Sequence, residues 1–485
     1  MTEHRETVEV PYLDRLPPGG AELIHEKSLT ILEEFGIQMD HPEVQDVLEA
    51  AGCRIDREED LVYVPGSLAE DSMQSAPSSF TVRGRGAQPD KTVGGDEPVI
   101  STAAGSPYMY TFEEGRRSST MADFELFQKL VQMADVIDTE GHDIVAPNDY
   151  DESIAFLEAQ LRSLTLTDKI PKGNCYGEDR ARMVADMVGI VHDDPDLSDY
   201  YLVGNANSVS PRTWDTKMIG GVMQHARMEQ PIILAPAAMA SASAPGTIAG
   251  TMALVNAEIL AGATLTQVVN EGTPLVYGLP TSNTDIRYGT FSIGSPEGAL
   301  FISLAGEMAR FYDVPSRAGG GLNDAKTVDE QAGSEAMFQL TASMFSGIDF
   351  ISHGAGLLDT MSTSSPEKFV LDLERIRYIK RYEDGFELTD EKFALDLIEE
   401  VEPAGHFLNQ QHTLTHATEE FMIPELAVRN SHGDWKSAGS KTAFERAHEH
   451  VQEILDSYER PAMDEDIQQD LERYVAEKRS QIIEA

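Results

Sequence analysis

A (β/α)8 barrel is the fold this sequence predicts, and three observations predict it. The chain has 485 residues, more than the roughly 100–200 of an ordinary domain, which leaves room for a barrel of ~250 residues with additions. Eight short apolar or small-residue runs recur between residues 98 and 356. Longer stretches with helical spacing separate most of them, the alternation that builds parallel sheets. A doubly wound open sheet gives the same alternation, because alternation does not show closure.

Residues 20–50 space their apolar side chains as helices do, with Gly36 and Gly52 as stops. Short strand-like pieces and turns follow, so residues 1–95 read as a helical cap with a small β element. The barrel is expected over residues 96–385, with strands at 98–102, 142–146, 170–177, 201–208, 231–237, 274–278, 314–320 and 348–356. Helical stretches between them include 151–163, 178–191, 245–262, 296–312, 328–345 and 366–381. Beyond that, residues 386–485 read as a helical extension, with helices at 389–402 and 440–480 that pack outside the barrel or form a subunit interface.

Charge excludes several partners. There are 83 acidic and 37 basic residues, a formal net charge of -46 spread along the whole chain. Such a surface repels nucleic acid and anionic membranes, and concentrated salt, as in a halophilic cytoplasm, screens its self-repulsion. The start of the chain, "MTEHRETVEV", has neither the basic nor the apolar region of a secretory signal, so the expected location is cytoplasmic. Cys53 and Cys175 stand far apart without a C-x-x-C pattern, which argues against a disulfide framework or structural zinc.

Barrel chemistry comes from the C-terminal ends of strands. That rule selects Asn174, Tyr176, Asn205, Asn207, Tyr277, Thr281, Asn283, Asp285, Arg317, Asn323, Asp324, His353 and Asp359, a set rich in amides and poor in acid–base pairs. The run Gly319, Gly320, Gly321 allows three readings: a phosphate cradle of backbone N–H groups, a tight strand-to-helix turn, or space for a large reactant above the barrel. It does not match the P-loop pattern. His412 and His416 lie one helical turn apart, with His406 upstream, but no glutamate intervenes as in H-E-x-x-H, and no metal is expected. No G-x-S-x-G elbow supports a serine hydrolase.

Several blocks together carry a resemblance. "PSRAGGGLNDAKTVDEQAGSEAMFQ", "GIDFISHGAGLLDTMSTSSPEKFVLDLE", "EPAGHFLNQQHTLTH", the N-terminal "IHEKSLTILEEFGIQMDHPEV" and the C-terminal "RAHEHVQEILDSYERPAMDEDI" make the chain similar, over nearly its whole length, to the trimethylamine methyltransferase family of corrinoid-dependent methyltransferases. The resemblance implies a (β/α)8 barrel that moves a methyl group from a methylated amine to the cobalt of a separate corrinoid (cobalamin) protein. The carrier signature D-x-H-x-x-G is not in this sequence, where "ISHGAG" has Ile351 in place of the aspartate. A partner bearing that motif is therefore expected to bring the cofactor.

Archaeal trimethylamine enzymes of the family carry pyrrolysine, which the resemblance places near Gly321 or Leu322; standard residues stand here. A tertiary amine must be activated before it loses a methyl group, whereas a quaternary ammonium is activated already and releases a neutral amine. The pyrrolysine-free branch, with enzymes for glycine betaine and similar quaternary amines, is accordingly the nearer match. By this resemblance Gly321, Leu322, Asn323 and Asp324 form the transfer site. Arg317, bidentately, or His353 would bind a substrate carboxylate, a salt bridge from Arg317 to Asp324 or Asp285 being the other reading, and Asn205 counts among the substrate-binding residues. Tyr277, Tyr288, Phe291 and Tyr108 would face the cationic head, each aromatic face worth roughly 0.5–2 kcal/mol. Gly319, Gly320, His406 and His412 would face the corrinoid. A trimethylamine enzyme with another activation route, and a binding protein for methylated osmolytes that has lost its chemistry, remain open alternatives. A homo-oligomer is expected.

Overall fold

Eight parallel strands, each followed by a helix, account for the alternation. In the computed structural model, which describes residues 12–102, 105–140 and 144–484, they are β1 (Val99–Ile100), β2 (Thr139–Glu140), β3 (Ile170–Gly173), β4 (Val203–Ala206), β5 (Ile232–Leu234), β6 (Leu275–Gly278), β7 (Ser316–Gly319) and β8 (Phe350–Ser352). Their helices are α1 (Met121–Met133), α2 (Glu152–Leu166), α3 (Glu178–Val191), α4 (Thr216–Arg227), α5 (Ile248–Val269), α6 (Pro296–Tyr312), α7 (Glu330–Phe345) and α8 (Pro366–Glu383). Hydrogen bonds run in the order β1-β8-β7-β6-β5-β4-β3-β2. A parallel bridge between Ser101 and Thr139 joins the two ends, so the sheet closes and the open alternative is excluded.

The seam between β1 and β2 is also where the sequence reading fails. The strand expected at 142–146 is Thr139–Glu140 instead; residues 142 and 143 lie outside the described residues, and Val145 pairs with Ser106 beyond the strand ends. Two residues are too few to show a period, whereas the apolar Ile144–Val145 pair imitates a strand. Asp138 fastens the seam: its N–H donates to the Ile100 carbonyl at 2.8 Å, and its Oδ2 accepts from the Ile100 N–H at 2.9 Å.

Side chains alternate across each strand. Val99, Ile170, Val203, Ile233, Val276 and Phe350 pack together inside the barrel with Phe80, Val82 and Val93. The last three belong to an antiparallel hairpin, Phe80–Val82 with Lys91–Val93, which closes the base. Arg83 ties this hairpin to the start of β4 through Asp199 and the Tyr200 carbonyl, so the plug sits at the strands' N-terminal end and the polar end is left as the mouth.

The N-terminal helices Gly20–Thr30 and Gly66–Ser75 lie over α5. Gly36 (φ 71°) and Gly52 (φ 104°) end their helical segments in the left-handed region that glycine adopts without strain. Enclosed between this cap and the barrel, α5 is long and apolar enough to cross a membrane, yet 83% of its apolar stretch is buried inside the protein. A helix covered on both sides loses the polar face of an ordinary barrel helix.

At the other end, helix Ala443–Ser457 packs on α8 and α1, and helix Glu465–Glu484 on α2 and α3. The single helix expected over 440–480 is thus two, interrupted around Pro461, whose ring cannot continue a helix. That expected over 389–402 is Asp390–Phe393 and Leu395–Glu400, separated by Ala394 at φ 48°.

Candidate functional site

The mouth is built on β7 and β8. Arg317 pairs in register with Gly278 and with Phe350, and Phe350 faces the interior; Arg317 therefore points inward as well, and only 2% of it is exposed. Its Nε donates to Ser352 Oγ at 2.9 Å, and a terminal nitrogen lies 2.9 Å from His353 Nε2. A guanidinium only donates, so His353 Nε2 accepts and the ring carries its proton on Nδ1. His353 itself has φ 58°, an uncommon conformation for a residue with a Cβ. Its carbonyl accepts from the Gly321 N–H at 2.8 Å, which holds the ends of β7 and β8 together.

That junction explains the glycines. A Cβ at Gly320 would stand 2.8 Å from Gly354 Cα, and one at Gly321 would stand 2.5 Å from the Gly354 carbonyl oxygen. Two backbones meet here at a distance only glycine permits. The turn reading holds. Gly320 is buried in this contact and Gly319, before it, is buried as well, so neither presents a surface to a corrinoid or leaves open space for a reactant. A Cβ at Gly319 would reach 2.2 Å from Leu322 Cδ1, so Leu322 folds back over the inward-facing side of β7. It packs with Ile293 and Leu357, and with the partly buried Phe291 and Met361, as an apolar cover on the mouth.

Asn323 and Asp324 hold this cover in place. Asn323 Nδ2 donates to the Leu357 carbonyl at 2.6 Å. Asp324 accepts from the N–H groups of Ile293 and Gly294, each at 3.1 Å, and from Thr360 Oγ1 at 2.7 Å. Every contact of these two residues named here is to protein groups that shape the loop. From behind, Asp372 on α8 accepts from the Gly356 N–H at 2.9 Å and pairs with the fully buried Lys368. Burial pushes the Lys368 ammonium down to about 8.

On the opposite wall, Asn205 pairs in register with the inward Ile233, donates to Asn207 Oδ1 at 2.9 Å, and keeps partial exposure. Asn207 donates in turn to the Ala235 carbonyl at 2.6 Å. The loop that follows hangs on Glu258 of α5, which accepts from Ser208, Ser210 and the Arg212 N–H; burial raises its carboxyl above the ordinary range. Lys172 faces inward too, because it pairs in register with Val203. The alternation through Ile170 and Asn174 points to it in sequence, yet the rule of strand ends passes over it.

The aromatic candidates separate. Phe291 belongs to the apolar cover. Tyr108 lies at the rim, on the hairpin Tyr108–Thr111/Gly115–Ser118, with the Arg116 guanidinium 3.6 Å from its ring centre. Tyr277 does not reach the interior: its neighbours Val276 and Gly278 face in, so it faces out, where its hydroxyl donates to Asn256 of α5 at 3.0 Å. Tyr288 is 75% exposed at the tip of the hairpin Ser282–Asp285/Thr290–Ser292, too far out to wall a pocket. His406 and His412 stand away from the mouth as well. The segment that carries them attaches at the far end of α8, where Arg381 donates to the Glu420 carbonyl. Barrel helices run against their strands, which puts that end at the base. Among the described residues no group of three His, Cys, Asp or Glu is placed to hold a metal ion.

The site is thus a closed barrel end with a buried Arg317–His353 pair on its floor and an apolar cover over it. Comparison with known proteins gives this arrangement a family. The chain is 36% identical to a glycine betaine methyltransferase of Desulfitobacterium hafniense (strain Y51), over 98% of each chain. It is 28% identical to an L-carnitine:corrinoid methyltransferase of Eubacterium limosum, over 91% of this chain and 92% of the relative. A trimethylamine methyltransferase of D. hafniense (strain DSM 10664 / DCB-2) matches at 28%, over 94% and 92%. The crystal structure of the Methanosarcina barkeri monomethylamine methyltransferase superposes with a TM-score of 0.53 at 12% identity, over 92% of this chain and 88% of that one, a likeness of fold. With a family match across residues 2–483, the chain belongs to the trimethylamine methyltransferase (MTTB) family.

Proposed function

We propose that this protein moves a methyl group from a quaternary amine of the glycine betaine kind to the Co(I) of a corrinoid carried by a separate protein with a D-x-H-x-x-G motif. The observation that carries the reading is the inward Arg317, joined to His353 beneath the apolar cover of Leu322, Ile293, Leu357 and Phe291. A betaine has two ends that need different surroundings. Its carboxylate suits a guanidinium fork, and its trimethylammonium head suits apolar and aromatic walls that displace water without forming hydrogen bonds.

When docked, the corrinoid supplies the nucleophile. This chain's residues bind and orient the substrate. Arg317 and His353 anchor the carboxylate on the barrel floor, Asn205 bounds the opposite wall, and Phe291, Leu322 and Tyr108 surround the ammonium near the mouth. A neutral tertiary amine leaves without taking a proton, so the arrangement needs no general acid; alignment and exclusion of water carry the catalysis. Leu322, whose side chain lies over the interior, also marks the place where an activating side chain would reach a tertiary amine, and an unreactive leucine there favours a substrate that needs no activation.

The partner docks at the mouth, where the strands present their C-terminal ends; Gly319 and Gly320 are buried and His406 and His412 lie toward the base, so the corrinoid meets the rim and the apolar cover instead of these four residues. The acidic surface suits a salt-rich cytoplasm in which betaine is a compatible solute. Methylation of cob(I)alamin, followed by its absorbance change in concentrated salt, tests the proposal. Glycine betaine is expected to react, trimethylamine to react much more slowly, and a direct competition between them to favour betaine. Failure of every quaternary amine to give a methyl–cobalt product would overturn it.

A further inference from the structure

Little of the segment that follows α8 is buried. Its helices Asp390–Phe393, Leu395–Glu400 and Gln411–Glu420 contain no buried residue. Helices this short are marginal in water and normally depend on a packed face. Apolar faces are nonetheless present: Phe386, Leu388, Leu395, Leu408, Phe421 and Ile423 are each between 62% and 80% exposed. Scattered exposed leucines need no explanation, but a run of this density on one arm does. The contacts that tie the arm down lead to α8, where Arg381 donates to the Glu420 carbonyl and Glu374 accepts from the N–H groups of Glu425 and Leu426.

We propose that residues 386–423 are the interface through which two copies of this chain associate. Large apolar side chains expose roughly 150–200 Å² each when free. The six named above, with Tyr382 (78%) and Leu414 (66%) beside them, offer on the order of 1,000 Å², comparable with the ~800 Å² per partner of a standard interface. The arm's place at the base selects the occupant. A corrinoid carrier must reach the mouth, whereas a second copy can meet the base and leave both mouths open; this exclusion of the carrier rests on the function proposed above. A self-complementary contact between two arms lets each apolar face cover the other. Because each copy carries a net charge of -46, association must tighten with salt as repulsion is screened.

Sedimentation velocity of the full chain at low and at molar KCl tests this, alongside the double variant Leu408→Asp/Phe421→Asp. Both positions are exposed on the single chain, so the variant is expected to keep its circular dichroism and its rate of free cob(I)alamin methylation. The wild type is expected to form a closed oligomer that dissociates as salt falls, and the variant to associate at least about tenfold more weakly. Hydrogen exchange across 386–423 is expected to slow with protein concentration. A wild type that stays monomeric in molar salt, an oligomer indifferent to the two substitutions, or an arm protected only when the corrinoid protein is added would each overturn the proposal. Sedimentation, circular dichroism and hydrogen exchange do not depend on turnover, so loss of the catalytic reading would leave them standing.

Discussion

Single residues separate the walls of the site from its supports. Arg317→Lys keeps the charge but loses the planar fork; with glycine betaine, kcat/KM is expected to fall about 10–100-fold, chiefly through KM, if the guanidinium anchors the carboxylate. Equal loss with a quaternary amine that has no carboxylate would count against that role. Tyr277 is the contrasting case, since its hydroxyl bonds Asn256 outside the barrel. Tyr277→Phe is expected to cost about 1–2 kcal/mol of stability in denaturant titrations and to leave kcat/KM within about twofold. His225 gives a pH signature. Fully buried between β3 and β4, with its ring against Gly173 and Gly204, it is held by desolvation down to about 4. The folded protein therefore refuses a proton that the unfolded chain accepts near 6.5. Stability from this residue is present above pH 6.5 and is lost as pH falls toward 4, on the order of 3 kcal/mol in all. His225→Asn should flatten that slope in denaturation midpoints measured against pH at fixed salt.

At the scale of elements, the meeting of the β7 and β8 ends governs the mouth. Gly320→Ala places a methyl group 2.8 Å from Gly354 Cα, where only backbone can yield; about 1–3 kcal/mol of destabilisation is expected, with a fall in kcat as His353 shifts. Gly246→Ala, whose Cβ would meet nothing closer than Ser241 Oγ at 3.3 Å, is the control for a glycine that has space. Much of this architecture was legible in the sequence, because strands such as "PIILAPA" and helices such as 296–312 announce themselves by composition and period. The second strand was not, since Thr139–Glu140 is two residues long. The site was legible in part. Arg317, His353 and Asn205 follow from the rule of strand ends, and the structure brings Arg317 and His353 into contact. Tyr277 sits at a strand end too, but the rule says nothing about which face a residue takes, and one position of phase separates the interior from the helix layer. His406 and His412 resembled a functional cluster through local spacing, while their place at the base depends on which end of α8 their segment adjoins. Lys172 was hidden in plain view: it faces the interior one layer below a strand end.

Across the whole molecule, charge and enclosure set the working conditions. With a net charge of -46, the thermal midpoint is expected to rise with KCl well beyond the low-salt regime, and sodium sulfate to act more strongly than KCl at equal ionic strength by favouring burial as well as screening. A midpoint independent of salt would deny this net charge any part in stability. Enclosure has its clearest expression in α5, whose apolar surface is covered on one side by the barrel and on the other by the N-terminal helices. That arrangement also orders events in time. During synthesis the cap and the base hairpin leave the ribosome before the helix and the strands that they cover, so the most membrane-like stretch of the chain emerges beside a partner already made. Moved to the C-terminus, the same cap would arrive only after α5 had waited uncovered.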